Sequence, residues 1–144
     1  YLHGVGIEIM GNSDNVLRAG LTRKEIALGE LLWVVDGRTR PGPIPPVRLT
    51  PHEAVWRPDV TEFQLSRIAL DGAGPALAAP ELTGPQILLC VSGAVTAEVG
   101  GTGRTLLTPG ESCFVGSGPQ PLVLTGRGEV FRAAVGGAAD PADR

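Results

Sequence analysis

Turn-forming residues punctuate this chain from end to end: 21 glycines and 13 prolines among 144 residues, scattered without a period between short apolar runs. Glycine opens backbone angles that other residues avoid, and proline removes a hydrogen-bond donor, so each run between them stays short. That pattern suits many short strands and turns better than disorder or collagen. From Val47 onward the candidate strands are Val47–Leu49, Glu53–Trp56, Glu62–Leu70, Gln86–Val91, Ala94–Val99, Arg104–Leu107, Ser112–Val115, Pro121–Thr125 and Glu129–Val135. Ser92-Gly93, Gly100-Gly101, Pro109-Gly110 and Gly126-Arg127-Gly128 read as the turns between them. Strands at this spacing predict a sandwich or jelly roll.

Composition narrows the function classes. Hydrophobic residues make up 42% and charged residues 19%, which suits a globular protein with one ordinary core. A net charge of −3 argues against a nucleic-acid or anionic-membrane surface. No apolar run approaches the length of a membrane span; a cytoplasmic location is expected. Cys90 and Cys113 each sit inside an apolar run. They read as buried thiols in a reducing compartment, although facing strands could also bring them together as a disulfide; the spacing does not decide.

The chain opens without Met, inside what reads as a strand, so a portion of a longer polypeptide is expected. Val5–Met10 alternates apolar residues with Gly and Glu, as a strand with one polar face would. Residues 11–15 (GNSDN) form a turn cluster. Thr22-Arg23-Lys24-Glu25 fits a capping box, which predicts a helix over 23–35 with Ile26, Leu28, Leu31, Leu32 and Val35 on its apolar face and Asp36-Gly37 at its end. Arg38–Pro46, with four prolines, reads as a linker. Within the opening stretch stand Tyr1, Glu8, Asp14, Arg18 and Lys24, the last being the only Lys of the chain. Singly, such residues are most often solvated or structural. Together they suit the handling of a phosphorylated, hydroxyl-rich molecule. Arg offers a rigid fork of donors for anions, Lys a point charge for phosphate, and carboxylates can handle hydroxyl protons.

The run YLHGVGIEIMGNSDNVLRAGLTRK, and SDNVLRAGLT above all, resembles the type I mannose-6-phosphate isomerases (phosphomannose isomerases). These are zinc-dependent enzymes built on cupin β-barrels. EFQLSRIAL, GPQILLCVSG, LLTPGESCFV and FRAAVGG stand where that family has its C-terminal strands, so the resemblance implies its C-terminal portion. It further implies a mainly β fold: a cupin-like jelly roll preceded by a strand fragment of a first cupin barrel and one short helix. The implied layout is 1–37 as the last piece of the catalytic barrel plus helix, 38–46 as a Pro-rich linker, 47–137 as a second barrel, and 138–144 as a frayed tail. Arg18 falls on the arginine at the family's catalytic centre. Tyr1, Glu8 and Asp14 fall on pocket-lining positions, and Lys24 on a basic position suited to the sugar phosphate. The implied reaction interconverts mannose 6-phosphate and fructose 6-phosphate through an enediol. A positive Arg18 beside the developing enediolate would stabilise charge worth ~3 kcal/mol when a comparable donor is lost.

The resemblance also implies that zinc is a cofactor of the full-length enzyme and that none is held by this chain. The family's His ligand lies two residues before the position of Tyr1, and its Gln, His and Glu ligands lie in the N-terminal half. That missing half is therefore an expected partner, and the chain alone is expected to be inactive. His3 and His52 lack ligand-spaced companions. The run from Gly103 to Cys113 resembles the cupin pattern of Gly, five residues and a Pro-Gly turn, with Cys113 near the metal-binding His. GPQILLCVSG contains no His-x-His, so the second barrel is expected to have kept the fold and lost the metal chemistry. A non-catalytic sugar-binding or structural cupin module is the alternative.

Overall fold

The computed structural model describes residues 3–12, 17–38, 42–78, 84–101 and 103–136. It divides into two compact units, Gly11–Pro43 and the remainder, with residues 3–10 joined to the second.

In the first unit the helix is shorter than its sequence predicts: α1 spans Leu28–Val34. The expected cap at Thr22 does not form. The Thr22 hydroxyl instead accepts the Lys24 backbone N–H at 3.1 Å, two residues on. A hydroxyl used in such a local turn competes with helix formation. The preceding Leu21, at φ 51, stands in the left-handed region. Ala27 takes the cap position with no side-chain bond, and no residue of the helix is buried.

The second unit is mainly β. Its strands are β1 (Val47–Arg48), β2 (Glu53–Trp56), β3 (Gln64–Asp71), β4 (Ala76–Leu77), β5 (Gln86–Val99), β6 (Gly103–Leu107), β7 (Ser112–Val115) and β8 (Leu122–Ala134). All pairings are antiparallel. The order is β1-β2-β3-β8-β5-β6, with β4 added to β8 and β7 to β5. Two long strands thus serve two half-sheets. The first half of β5 pairs β7 and the second half pairs β6, while β8 pairs β4 early and β3 later. Residues 5–10, expected as a strand, belong to no ladder among the described residues.

Two expected turns are absent, and for one reason. Ser92-Gly93 lies inside β5, beside a register shift between Cys90 and Ser92, and Gly126-Arg127-Gly128 lies inside β8. Gly93 pairs Gly128, and Val95 pairs Gly126. A Cβ on Gly93 would lie 2.0 Å from the Arg127 carbonyl oxygen, one on Gly126 2.3 Å from that of Ala94, and one on Gly128 2.1 Å from that of Ser92. All three have positive φ. The glycines therefore let the paired strands bend sharply together without ending, which is how one ladder is folded over on itself. The Gly100-Gly101 and Pro109-Gly110 turns form as expected, between β5 and β6 and between β6 and β7.

The bend brings both half-sheets around one core. β3 alternates strictly, with Gln64, Ser66, Ile68 and Leu70 inward. Ile68, Leu88, Cys90, Val95, Leu107, Leu124 and Val130 are almost fully buried together. A buried Leu of this kind stabilises by roughly 2–5 kcal/mol against Ala.

Candidate functional site

Glu8 lies in the unit that holds the β-fold, in the run where Ile7 and Ile9 are half-buried and Glu8 and Met10 exposed. Arg18 and Lys24 lie in the other unit, Arg18 half-buried and Lys24 exposed. Tyr1 and Asp14 fall outside the described residues. Each unit by itself gathers only part of the set that the motif brings together in sequence.

The interior of the β-fold holds a polar constellation that sequence reading missed. Arg132 of β8 donates to the Glu53 carboxylate of β2, both side chains 1% exposed, and to Gln86 Oε1 of β5 at 3.1 Å. Gln64 of β3 donates to the Val135 carbonyl at 2.9 Å and accepts from Arg57 Nε at 3.1 Å. Register puts Ser66 opposite Arg132, so four adjacent strands meet here. The strand period was the available signal: Val130, Arg132 and Ala134 share one parity, as do Glu53 and Val55. The guanidinium and carboxylate pair with one another, so this interior holds a paired charge.

Among the described residues no group of three or more His, Cys, Asp and Glu side chains comes together. Cys113 is half-buried against the core, and burial pushes its thiol up. Cys90 is buried, and its thiol is likewise raised, first by burial. Both are free thiols, so the disulfide does not form. A raised thiol stays protonated near neutrality. His52 is half-buried, with Nδ1 3.3 Å from the Ala69 carbonyl oxygen.

The glycine-bent antiparallel sheet around one core defines the class, a cupin-like β-fold. No family model matches the sequence. The mannose-6-phosphate isomerase of Escherichia coli K12 is 35% identical over 135 residues, covering 92% of this chain, and that of Salmonella typhimurium 36% over 140 residues. A crystal structure of the Salmonella typhimurium enzyme, described as bound to substrate (fructose 6-phosphate) and zinc, superposes with a TM-score of 0.73 at 32% identity over 88% of this chain. The chain is a partial member of the mannose-6-phosphate isomerase family. It spans about a third of the length of these curated relatives, 33% of the Escherichia coli protein.

Proposed function

We propose that this chain is the C-terminal portion of a zinc-dependent aldose–ketose isomerase that interconverts mannose 6-phosphate and fructose 6-phosphate. The carrying observation is one of identity: 35% over 92% of the chain. In this reading Arg18 is catalytic, its fixed positive charge set against the enediolate as it forms. Glu8 and Asp14 bind sugar hydroxyls or orient Arg18, Tyr1 lines the pocket, and Lys24 attracts the phosphate. The described residues do not fit a catalytic zinc, which needs about three protein ligands. Its ligands belong to the rest of the polypeptide, and the chain alone is inactive. The second barrel, with its interior filled by the Arg132–Glu53 pair, is a structural companion. The assembly works in the cytoplasm.

The test joins this chain behind the part of the Escherichia coli enzyme that lies outside the matched third. Arg18→Ala in that joined polypeptide lowers kcat by about a hundredfold or more, while zinc content by elemental analysis is unchanged. Turnover equal to the parent under saturating substrate overturns the role given to Arg18.

A further inference from the structure

Leu21, at φ 51, is the one residue other than glycine with a positive φ among the described residues. An L side chain in that region crowds its own backbone, and glycine or asparagine is the usual occupant. Gly20 stands immediately before it with open space around its Cβ position, yet stays outside the left-handed region. Local preference alone would put the left-handed angle on Gly20. The Leu21 side chain is fully exposed, so its own packing does not hold the angle either. A backbone kept against its preference marks a place where function fixes the path of the chain.

Two cations flank this residue at equal spacing, Arg18 three positions before it and Lys24 three after, and all three belong to the unit Gly11–Pro43. The backbone bends at Gly20, Leu21, Arg23 and Lys24. Beyond Leu21 the path is pinned, because Thr22 Oγ1 accepts the Lys24 backbone N–H at 3.1 Å. Leu21 is thus the pivot between the arm that carries Arg18 and the turn that carries Lys24. Moving its φ into the extended range rotates the chain there by about 100° or more. Three residues reach about 10 Å, so the two cations would shift against one another by several ångströms. A misplacement of about 1 Å can cost a hundredfold in rate.

We infer that Leu21 is a positioning residue: its left-handed backbone sets Arg18 and Lys24 at the separation that one sugar phosphate spans, the reacting carbons at Arg18 and the phosphate at Lys24. This rests on the isomerase reading of the chain and adds to it the residue that holds the two cations in register.

Steady-state kinetics of the joined polypeptide described above test this, with zinc content and Tm measured alongside. Leu21→Asn and Leu21→Gly supply residues that adopt positive φ, while Leu21→Val stays apolar but carries a branched side chain that resists it. The Asn and Gly variants are expected within about threefold of the parent kcat/KM. The Val variant is expected to lose about thirtyfold or more, through kcat as Arg18 is displaced and through KM as Lys24 is, with zinc content and Tm at the parent values. A lost packing contact gives the opposite order, because Val keeps an apolar side chain and Asn and Gly do not. Activity that follows apolarity therefore overturns the inference, and so does a Val variant as active as the parent. If the Val variant melts early, Leu21→Ala against Leu21→Gly decides. Both delete the side chain and only Gly takes positive φ freely, so the inference requires Gly to be the more active, by about fivefold, and equal activity overturns it. The isomerase reading fails separately: turnover kept in Arg18→Ala counts against the catalytic role, whereas turnover lost there and kept in Leu21→Val counts against Leu21 alone.

Discussion

Replacing Arg132 by Met tests the interior constellation most directly. The substitution keeps much of the side-chain volume but takes the guanidinium from the Glu53 carboxylate, whose side chain is 1% exposed. It also removes the donor to Gln86 Oε1. An ion taken from water into a protein interior loses several kcal/mol of solvation, and breaking a buried pair from one side typically costs about 3–5 kcal/mol, close to the full stability of a small domain. For a β-unit of this size that corresponds to a fall in Tm of roughly 15–30 °C. Removing both partners should cost far less. Glu53→Leu with Arg132→Met leaves no uncompensated charge, and such double replacements are often near neutral, within about 1–2 kcal/mol of the parent. The assay is urea unfolding followed by far-ultraviolet circular dichroism for the parent, both single variants and the double, closed as a double-mutant cycle. A single Arg132→Met variant within about 1 kcal/mol of the parent would refute the argument. So would a double variant whose loss equals the sum of the two singles, because the charges would then not be coupled.

Other outcomes follow from the same geometry. Gly128→Ala forces a Cβ against the Ser92 carbonyl oxygen 2.1 Å away and should lower the unfolding free energy by well over about 1 kcal/mol, whereas Gly103→Ala, with open space around it, should stay within about 0.5 kcal/mol. Leu88→Ala should cost about 2–5 kcal/mol by denaturant melting, since Leu88 is fully buried. The Glu111 carboxyl is held below its usual range by the Thr108 backbone N–H and hydroxyl, at 2.8 and 2.9 Å. A depressed carboxyl stabilises above its unfolded value and loses that contribution as pH falls through the folded one. The Tm gap between parent and Glu111→Gln should therefore be present at neutral pH and close on acidification below about 4.

Local chemistry carried much of what the sequence alone determined. The Gly100-Gly101 and Pro109-Gly110 turns form where the residues demand them, because positive φ is a property of the residue and its immediate neighbours. The strands Glu53–Trp56 and Ser112–Val115 stand at their expected bounds, short runs with a period of two between turn formers. The family was legible in SDNVLRAGLT, and the relatives bear it out. Tertiary contact decided the rest. Gly93, Gly126 and Gly128 look like turns in sequence, and only their pairing across β5 and β8 turns them into a bend within continuous strands. Thr22 looks like a helix cap, but its hydroxyl is taken by the Lys24 N–H and the helix starts at Leu28. Arg132 and Glu53 are 79 residues apart, and nothing local pairs them. Strand order alone makes them neighbours, because a buried charge is tolerated only where the fold delivers its opposite.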